Sequence, residues 1–238
     1  MDARPATRLS SLDSFSGSLA RRTYLSLREA ILNLGYRPGE PLRKGEICAA
    51  LGVSRSPVAE AIARLAAEGL VDVVPQAGTY VARFSMDEIR EGAFLREAIE
   101  LAAVEALASR ISDDQIVQLR RNLRVQEALT ADGDFAGFYA TDGEMHAMIL
   151  SFTGFRKLAQ VADTAWVHVN RARQLILPMP GRVAETLEEH RAILAALEAR
   201  DPEAARAAMR RHLGRLVTFL EPLEKSHPEL FATGQAAR

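Results

Sequence analysis

Hydrophobic side chains recur at helical spacing near the start of the chain. Four of them, separated by three, four and three positions, are Tyr24, Leu27, Ile31 and Leu34. This spacing places them on one face of an amphipathic helix over 19–34, which Gly35 is expected to end. The residues before this helix are small or polar and lack periodicity, so we expect 1–18 to be a mobile arm.

Two shorter hydrophobic repeats follow, separated by a tight turn. The first comprises Ile47, Cys48 and Leu51, and the second comprises Val58, Ile62 and Leu65. Gly52 can end the first helix because glycine adopts the left-handed conformation without steric cost. Ser54 is expected to cap the second helix with its side-chain oxygen, and Pro57 falls in the first turn of that helix. This pattern is typical of a helix-turn-helix, whose second helix enters the DNA major groove.

A short β-hairpin is predicted after Gly69, which closes the second of these helices. Residues 71–74 and 79–81 are rich in β-branched and aromatic side chains, and Pro75-Gln76-Ala77-Gly78 between them favours a turn. Residues 19–84 are therefore expected to form a winged helix-turn-helix domain.

The same stretch resembles the DNA-binding domain of the GntR family of bacterial transcription regulators. The resemblance rests on Leu51 to Ile62, Leu65, Glu68-Gly69-Leu70 and Gly78-Thr79-Tyr80-Val81. The residues expected to contact DNA are Lys44, Ser54, Arg55, Ser56, Ala59 and Gly78. Two positions depart from the family pattern, because Ala59 stands where an arginine is usual and Ala77 where a basic residue is common. Each missing cation removes a phosphate or base contact, so both departures bear on operator affinity and sequence.

The sequence after Phe84 predicts helices only. Capping-box patterns at Ser85–Glu88 and Ser112–Gln115 indicate helices that begin near 86 and 113. Turn-forming residues divide the remainder into six helices of roughly 15 to 22 residues. We therefore predict a mainly α protein whose second domain, 85–224, is an all-helical bundle, followed by a flexible tail over 225–238.

Four polar side chains interrupt the hydrophobic seams of this predicted bundle. They are Asp142, His146, His190 and His212. A buried carboxylate or imidazole costs several kcal/mol unless it is compensated, and one divalent cation would compensate all four. Asp142 and His146 lie at i and i+4 on one helical face, as a chelating pair requires. Three imidazoles and one carboxylate suit Zn²⁺ best, and they also suit Ni²⁺, Fe²⁺ or Mn²⁺.

This half of the chain resembles the FCD ligand-binding domain of the FadR subfamily. The family pattern of Asp-x-x-x-His, Glu-His and a final His-Leu is matched by Asp142 to His146, Glu189-His190 and His212-Leu213. The resemblance implies that these four residues bind the metal. Arg96 matches an arginine common in the first FCD helix, and with Asn170 and Arg173 it is a predicted contact for an anionic effector. A small organic acid is the expected guest, because a divalent ion neutralised once by Asp142 leaves net positive charge.

Composition is that of an ordinary globular protein. The chain has 238 residues, of which 48% are hydrophobic and 26% charged, and its net charge is −1. No stretch approaches about 20 consecutive apolar residues, so we expect no membrane association. A single cysteine, Cys48, fits a reducing compartment, and a cytoplasmic location is predicted.

The sequence supports one main function and leaves two alternatives open. The main hypothesis is a transcription regulator, more specifically a repressor, whose homodimer binds a palindromic double-stranded operator under the control of a small carboxylate. The site of three histidines and one aspartate is also compatible with a metal-dependent enzyme, although no further carboxylate stands where a general base is expected. A direct metal sensor, in which the ion itself is the signal, is the third hypothesis.

Overall fold

The chain forms two compact units in a computed structural model that describes residues 8–232, without the side chains of 159, 160, 163 and 164. The first unit contains the chain up to Met86 together with the residues from Glu224 onward, and we call it the DNA-binding unit after the predicted helix-turn-helix that it includes. The helical unit contains Asp87–Leu223.

Three helices and a hairpin build the DNA-binding unit. They are α1 (Leu19–Leu32), α2 (Lys44–Leu51), α3 (Arg55–Ala67), β1 (Val71–Val74) and β2 (Gly78–Val81). The strands are antiparallel, with Val71 opposite Val81 and Val74 opposite Gly78. The predicted apolar faces form the core, in which Leu27, Ile47 and Leu65 are almost fully buried. This confirms the predicted helix-turn-helix with its β-hairpin wing.

Two local predictions in this unit are wrong. Helix α1 ends at Leu32, before the predicted Leu34, because Leu34 itself adopts the left-handed conformation with φ of 56°. The amide of Gly35 then donates to the Ala30 carbonyl oxygen at 2.8 Å. Ser54 does occupy the N-cap of α3, but its side chain makes no capping hydrogen bond. The first amides of α3 are therefore left without a side-chain acceptor from Ser54.

The helical unit contains eight α-helices, where the sequence predicted six. They are α4 (Met86–Ala108), α5 (Asp113–Asp132), α6 (Phe135–Phe152), α7 (Arg156–Ala165), α8 (Val167–Ile176), α9 (Arg182–Glu198), α10 (Pro202–Leu213) and α11 (Arg215–Ser226). The count was wrong because two of the predicted helices break. One breaks at Trp166, where the sequence carries no strong stop signal, and the other at Gly214, a glycine within the predicted last helix. The capping box of Ser112 and Gln115 is confirmed.

One contiguous hydrophobic core holds this unit together. Helix α5 packs against α6 and α9, and α9 packs against α10. Phe138, Met145, Ile149, Leu197 and Met209 are fully buried within the core. These side chains come from the same helices that carry the four predicted metal ligands, so core packing brings the ligands together.

The described parts of both predicted flexible segments pack on the rest of the DNA-binding unit. Leu9 is buried, and the Ser26 hydroxyl donates to the Ser10 carbonyl at 2.8 Å, so this part of the arm packs on α1. Near the other end, Phe231 is buried and forms a β-bridge with Phe84. The rest of the predicted arm and tail, 1–7 and 233–238, lies outside the described residues.

Candidate metal centre and nucleic-acid interface

All six predicted DNA contacts are exposed on the DNA-binding unit. Lys44 opens α2, Gly78 opens β2 with φ of 137°, and the others are Ser54, Arg55, Ser56 and Ala59 at the start of α3. The opposite face of α3, with Val58, Ile62 and Leu65, is buried. The helix therefore presents its N-terminal polar face to solvent, as a recognition helix must.

A polar network attaches α3 to α1. The Tyr24 hydroxyl donates to Glu68 Oε1 at 2.5 Å, and Arg28 Nε donates to Glu68 Oε2 at 3.0 Å. The guanidinium of Arg64 stacks 3.9 Å from the centroid of the Tyr24 ring. Burial, followed by the hydrogen bond to Glu68, raises the pKa of Tyr24. Arg64 is thus engaged within the unit, whereas Arg55, the other cation of α3, is exposed.

The helical unit brings the four predicted ligands into one buried cluster. Asp142 and His146 lie on α6, His190 lies on α9 and His212 lies on α10. One potential ligand atom from each lies within 4.8 Å of the corresponding atoms of the others. All four residues are buried.

Two of the histidines are oriented by carboxylates. His146 Nδ1 lies 2.5 Å from Glu100 Oε2, and His212 Nδ1 lies 2.8 Å from Glu189 Oε2. Because an ionised carboxylate can only accept, each Nδ1 carries the hydrogen in the neutral imidazole. The lone pair of each ring is then on Nε2, and these two Nε2 atoms lie 3.1 Å apart.

A chain of amides orients the third histidine. The Asn122 amide nitrogen donates to the Thr141 carbonyl at 2.9 Å, so Asn122 Oδ1 is left to accept from Gln126 Nε2 at 2.7 Å. Gln126 Oε1 must then accept from His190 Nδ1, at 2.6 Å. This order leaves the lone pair of His190 on Nε2, which faces the cluster.

The centre of the cluster therefore consists of acceptors without a donor among the described residues. His190 Nε2 lies 3.4 Å from Asp142 Oδ1, and neither atom has a hydrogen-bond partner there. Leaving such atoms buried and unsatisfied is costly. Three imidazole nitrogens and one carboxylate oxygen form a donor set that fits a divalent transition metal.

Burial keeps the cluster in the protonation state that metal binding requires. It lowers the pKa of His212 to about 3, despite the opposing hydrogen bond to Glu189, and it lowers the pKa of His190 well below its usual value. For Glu189, burial raises the pKa, but hydrogen bonds from His212 and Arg182 outweigh it and lower the pKa to about 2. At neutral pH the imidazoles are therefore neutral and Glu189 is ionised.

Three arginines line a partly open pocket beside the cluster. They are Arg96, Arg173 and Arg182, and His212 also lines this pocket. The Arg96 Nε donates to Glu100 Oε1 at 2.6 Å, and Arg182 donates to both oxygens of Glu189 at 3.0 and 2.9 Å. The pocket therefore combines three guanidinium groups with direct access to the cluster ligand His212.

Arg173 belongs to both the pocket and the cluster. It donates to Asp142 Oδ2, which leaves Asp142 Oδ1 facing His190. Burial, followed by repulsion from Arg96, lowers the pKa of Arg173 to about 10, so it stays charged at neutral pH. The third predicted effector contact, Asn170, does not line this pocket, and its carbonyl instead accepts from the Tyr139 hydroxyl at 2.7 Å.

Sequence reasoning missed the residues that orient the cluster. Glu100, Gln126 and Arg182 were not predicted, and Glu189 was noted only as part of the Glu-His motif. One signal was readable, since Arg96 and Glu100 are spaced as an i, i+4 ion pair. The contact between Gln126 and His190 joins residues 64 positions apart, which no local pattern reveals.

Comparison with known proteins agrees with both halves of the structure. Residues 19–81 match the family model for bacterial regulatory proteins of the gntR family, and residues 91–215 match the FCD domain. An uncharacterized HTH-type transcriptional regulator in an unstable DNA locus of Streptomyces ambofaciens is 36% identical over 216 residues, covering 91% of each chain. The chain belongs to the GntR family.

Other relatives of this GntR-family protein are also regulators. The HTH-type transcriptional repressor RspR of Escherichia coli K12 is 30% identical over 212 residues, which are 89% of this chain and 93% of RspR. A solved GntR regulator from Rhodococcus covers 87% of the chain with a TM-score of 0.76 at 24% identity, and this similarity concerns the fold. The family consists of DNA-binding transcription regulators, so the enzyme alternative is set aside. Within the described residues, the GntR-family chain has no helix long and apolar enough to span a membrane.

Proposed function

We propose that this regulator is a cytoplasmic repressor whose homodimer binds a palindromic operator, and that a metal and a small carboxylate in the helical unit control this binding. Two-fold symmetry is expected because one recognition helix makes too few contacts for useful specificity. Repression is supported by the RspR relative and by a probable repressor of D-xylose utilization from Paenarthrobacter nicotinovorans, 30% identical over 210 residues.

The inward-facing acceptors carry the metal part of the proposal. Asp142, His146, His190 and His212 would hold the ion, and Zn²⁺ is the best match for this donor set. When bound, the ion would supply positive charge that attracts an anionic oxygen. Glu100, Gln126 and Glu189 hold the three imidazoles in the tautomer that binding needs.

The charges around the pocket support an anionic effector. With neutral imidazoles, three buried arginines balance the three carboxylates of Asp142, Glu100 and Glu189. A divalent cation in the cluster then leaves an excess of two positive charges. A small organic acid would offset this excess of positive charge, because its carboxylate can bind both the ion and the guanidinium groups of Arg96 and Arg173.

One experiment tests the operator and the effector in sequence. Binding sites are selected from random duplex DNA at about 0.15 M salt, with the zinc-loaded and the chelated protein, because DNA affinity depends strongly on salt. Small mono- and dicarboxylates are then screened for release of the selected site. We expect an enriched palindrome, and release by one acid that Arg173→Gln abolishes. Absence of an enriched palindrome in either state would contradict operator binding.

The same assay distinguishes our proposal from the metal-sensor alternative. Zinc added without any carboxylate acts as the signal if it releases the operator over a physiological concentration range. Under our proposal the ion stays bound, and release follows the carboxylate concentration at constant zinc.

A further inference from the structure

A short segment near the C-terminus pairs with the residue that precedes the helical unit. We call Pro228–Ala232 the strap. The Phe84 amide donates to the Leu230 carbonyl at 3.0 Å, and the Ala232 amide donates to the Phe84 carbonyl at 2.8 Å. The Phe84 and Phe231 rings are both buried, with centroids 5.7 Å apart. Arg83 Nε also donates to the Glu229 carbonyl at 3.0 Å.

The helix that leads to the strap begins at the arginine pocket. In its first turn, Leu216 lines the pocket, and Arg215 Nε lies 3.4 Å from Glu189 Oε1. One turn later the Phe219 ring lies 5.3 Å from the Arg182 guanidinium. The N-terminal half of α11 is therefore built into the pocket wall.

The helix on the other side of the strap contact also reaches the pocket. Phe84 lies two residues before α4, which carries Arg96 and Glu100, the partner of His146. An ion pair of 3.4 Å between Arg90 and Glu221 joins α4 to α11 within the helical unit. Both helices that lead out of the unit thus contact the cluster or its pocket.

We infer that the strap couples the pocket to the DNA-binding unit, by tying the end of α11 to the linker residue Phe84. The chain passes from one unit to the other after Met86 and returns after Leu223. The contact between the strap and Phe84 joins the chain segments at these two crossings. A ligand that moves α4 relative to α11 therefore changes the contacts between the strap and Phe84. The matched family domains end at 81 and 215, and neither includes the strap.

The contacts of the strap lie within the DNA-binding unit. The ligand that would act on them through the pocket is part of the proposed function. Coupling requires that the two pocket states differ in their contacts with the linker. Two backbone hydrogen bonds and an aromatic pair provide such contacts, because they can form fully only when α11 ends at one position relative to Phe84. The prediction is that loss of the Phe231 ring uncouples the sites and leaves each site intact.

The first test needs no metal and uses the chelated full-length protein. Hydrogen exchange is measured at the Phe84 and Ala232 amides in the wild type, in Leu216→Ala and in Leu119→Ala. Leu119 is a buried core residue of α5, so its truncation controls for general destabilisation of the helical unit. We expect Leu216→Ala to accelerate exchange at both amides about fivefold or more beyond Leu119→Ala. Equal exchange rates in the two variants would overturn the coupling role of the strap.

The second test measures coupling directly. Affinity for the selected operator is determined with and without Zn²⁺ for the wild type, Phe231→Ala and the conservative Phe231→Leu. We expect the zinc-dependent change in DNA affinity to fall to within about twofold of unity in Phe231→Ala and to survive in Phe231→Leu. Zinc affinity, measured by calorimetry, should stay at the wild-type value in both.

The outcomes separate the two proposals. A zinc-dependent change in DNA affinity that is the same in Phe231→Ala as in the wild type would overturn the strap. If zinc binds to the wild type without any effect on DNA affinity, as expected when the carboxylate alone is the signal, the exchange test decides the strap. Failure of the wild type to bind zinc would overturn the metal proposal, and the exchange test would then decide the strap by itself.

Discussion

Asp142 Oδ1 and His190 Nε2 face each other at 3.4 Å as two acceptors, without a hydrogen-bond partner among the described residues. The Arg173 guanidinium occupies the other carboxylate oxygen, and Gln126 occupies the other imidazole nitrogen. Each group is therefore held with one lone pair directed at the same point. This arrangement is costly for an empty protein interior and favourable for a bound cation.

Removing one ligand should weaken both metal binding and stability. We expect His212→Ala to lower zinc affinity at least about 10-fold to 100-fold, since loss of a ligand should cost no less than loss of an outer partner. Zinc at 100 times its dissociation constant stabilises the wild type by about 2.7 kcal/mol, and the variant should lose most of this gain. Calorimetric titration and thermal unfolding measure the two effects. The exposed His227→Ala is the control, and full zinc occupancy in His212→Ala would remove His212 from the ligand set.

The amide chain behind His190 should matter almost as much as a ligand. Gln126→Leu keeps a side chain of similar size but removes the acceptor that fixes the His190 tautomer. We expect zinc affinity to fall about 10-fold to 100-fold, as is typical for loss of an outer partner. Gln118→Leu, at an exposed position of the same helix, should leave the affinity unchanged. Equal zinc affinities in the two variants would show that the His190 ring does not need the hydrogen bond to Gln126 in order to bind zinc.

The metal-free protein should lose stability in mild acid. The pKa of each cluster histidine is lowered on folding, so below the unfolded value of about 6.5 the unfolded chain binds more protons than the folded one. Stability therefore falls as pH decreases through 6.5, and for His212 the loss continues to about pH 3. Each neutral histidine contributes up to about 1.4 kcal/mol per pH unit in this window.

Denaturant unfolding between pH 7.5 and 5, with a chelator present, measures this loss. Glu100 and Glu189, whose pKa values are lowered on folding, contribute to the pH dependence only near and below about pH 4.5, so they do not obscure it. We expect a shallower pH dependence in His212→Gln. A wild-type stability that is flat from pH 7 to 5 would mean that the buried imidazoles accept protons freely.

The side chain at position 59 of the recognition helix should affect the salt dependence of DNA binding. Ala59 is exposed one turn after Arg55, at a position where the family usually has an arginine. We expect Ala59→Arg to tighten binding to generic duplex DNA and to steepen its logarithmic salt slope by about 0.9 for each added phosphate contact. Ala195→Arg adds the same charge at an exposed position of the helical unit and should leave the slope unaltered. An unchanged slope in Ala59→Arg would indicate that position 59 does not face DNA.

Local sequence signals determined much of this protein. Hydrophobic spacing predicted the helices of the DNA-binding unit, because the side chains of Leu27, Val58 and Leu65 recur with the helical period and must be buried on one side. The turn around Gly78 predicted the wing. Asp142 and His146 were recognisable as a pair because i, i+4 spacing guarantees one face of a helix, whatever the rest of the fold does.

Only the tertiary structure decided which distant residues complete the cluster and its pocket. Gln126, Glu189 and Arg182 act through contacts with other helices, so their roles depend on helix packing, which leaves no periodic trace in the sequence. The tail over 225–238 was expected to be flexible. The described part of this tail, which ends at Ala232, is held in place by the buried ring of Phe231 and by hydrogen bonds to Phe84, 147 positions before Phe231 in the chain. Such long-range pairing is decided by the free energy of the assembled fold, since no local preference encodes it.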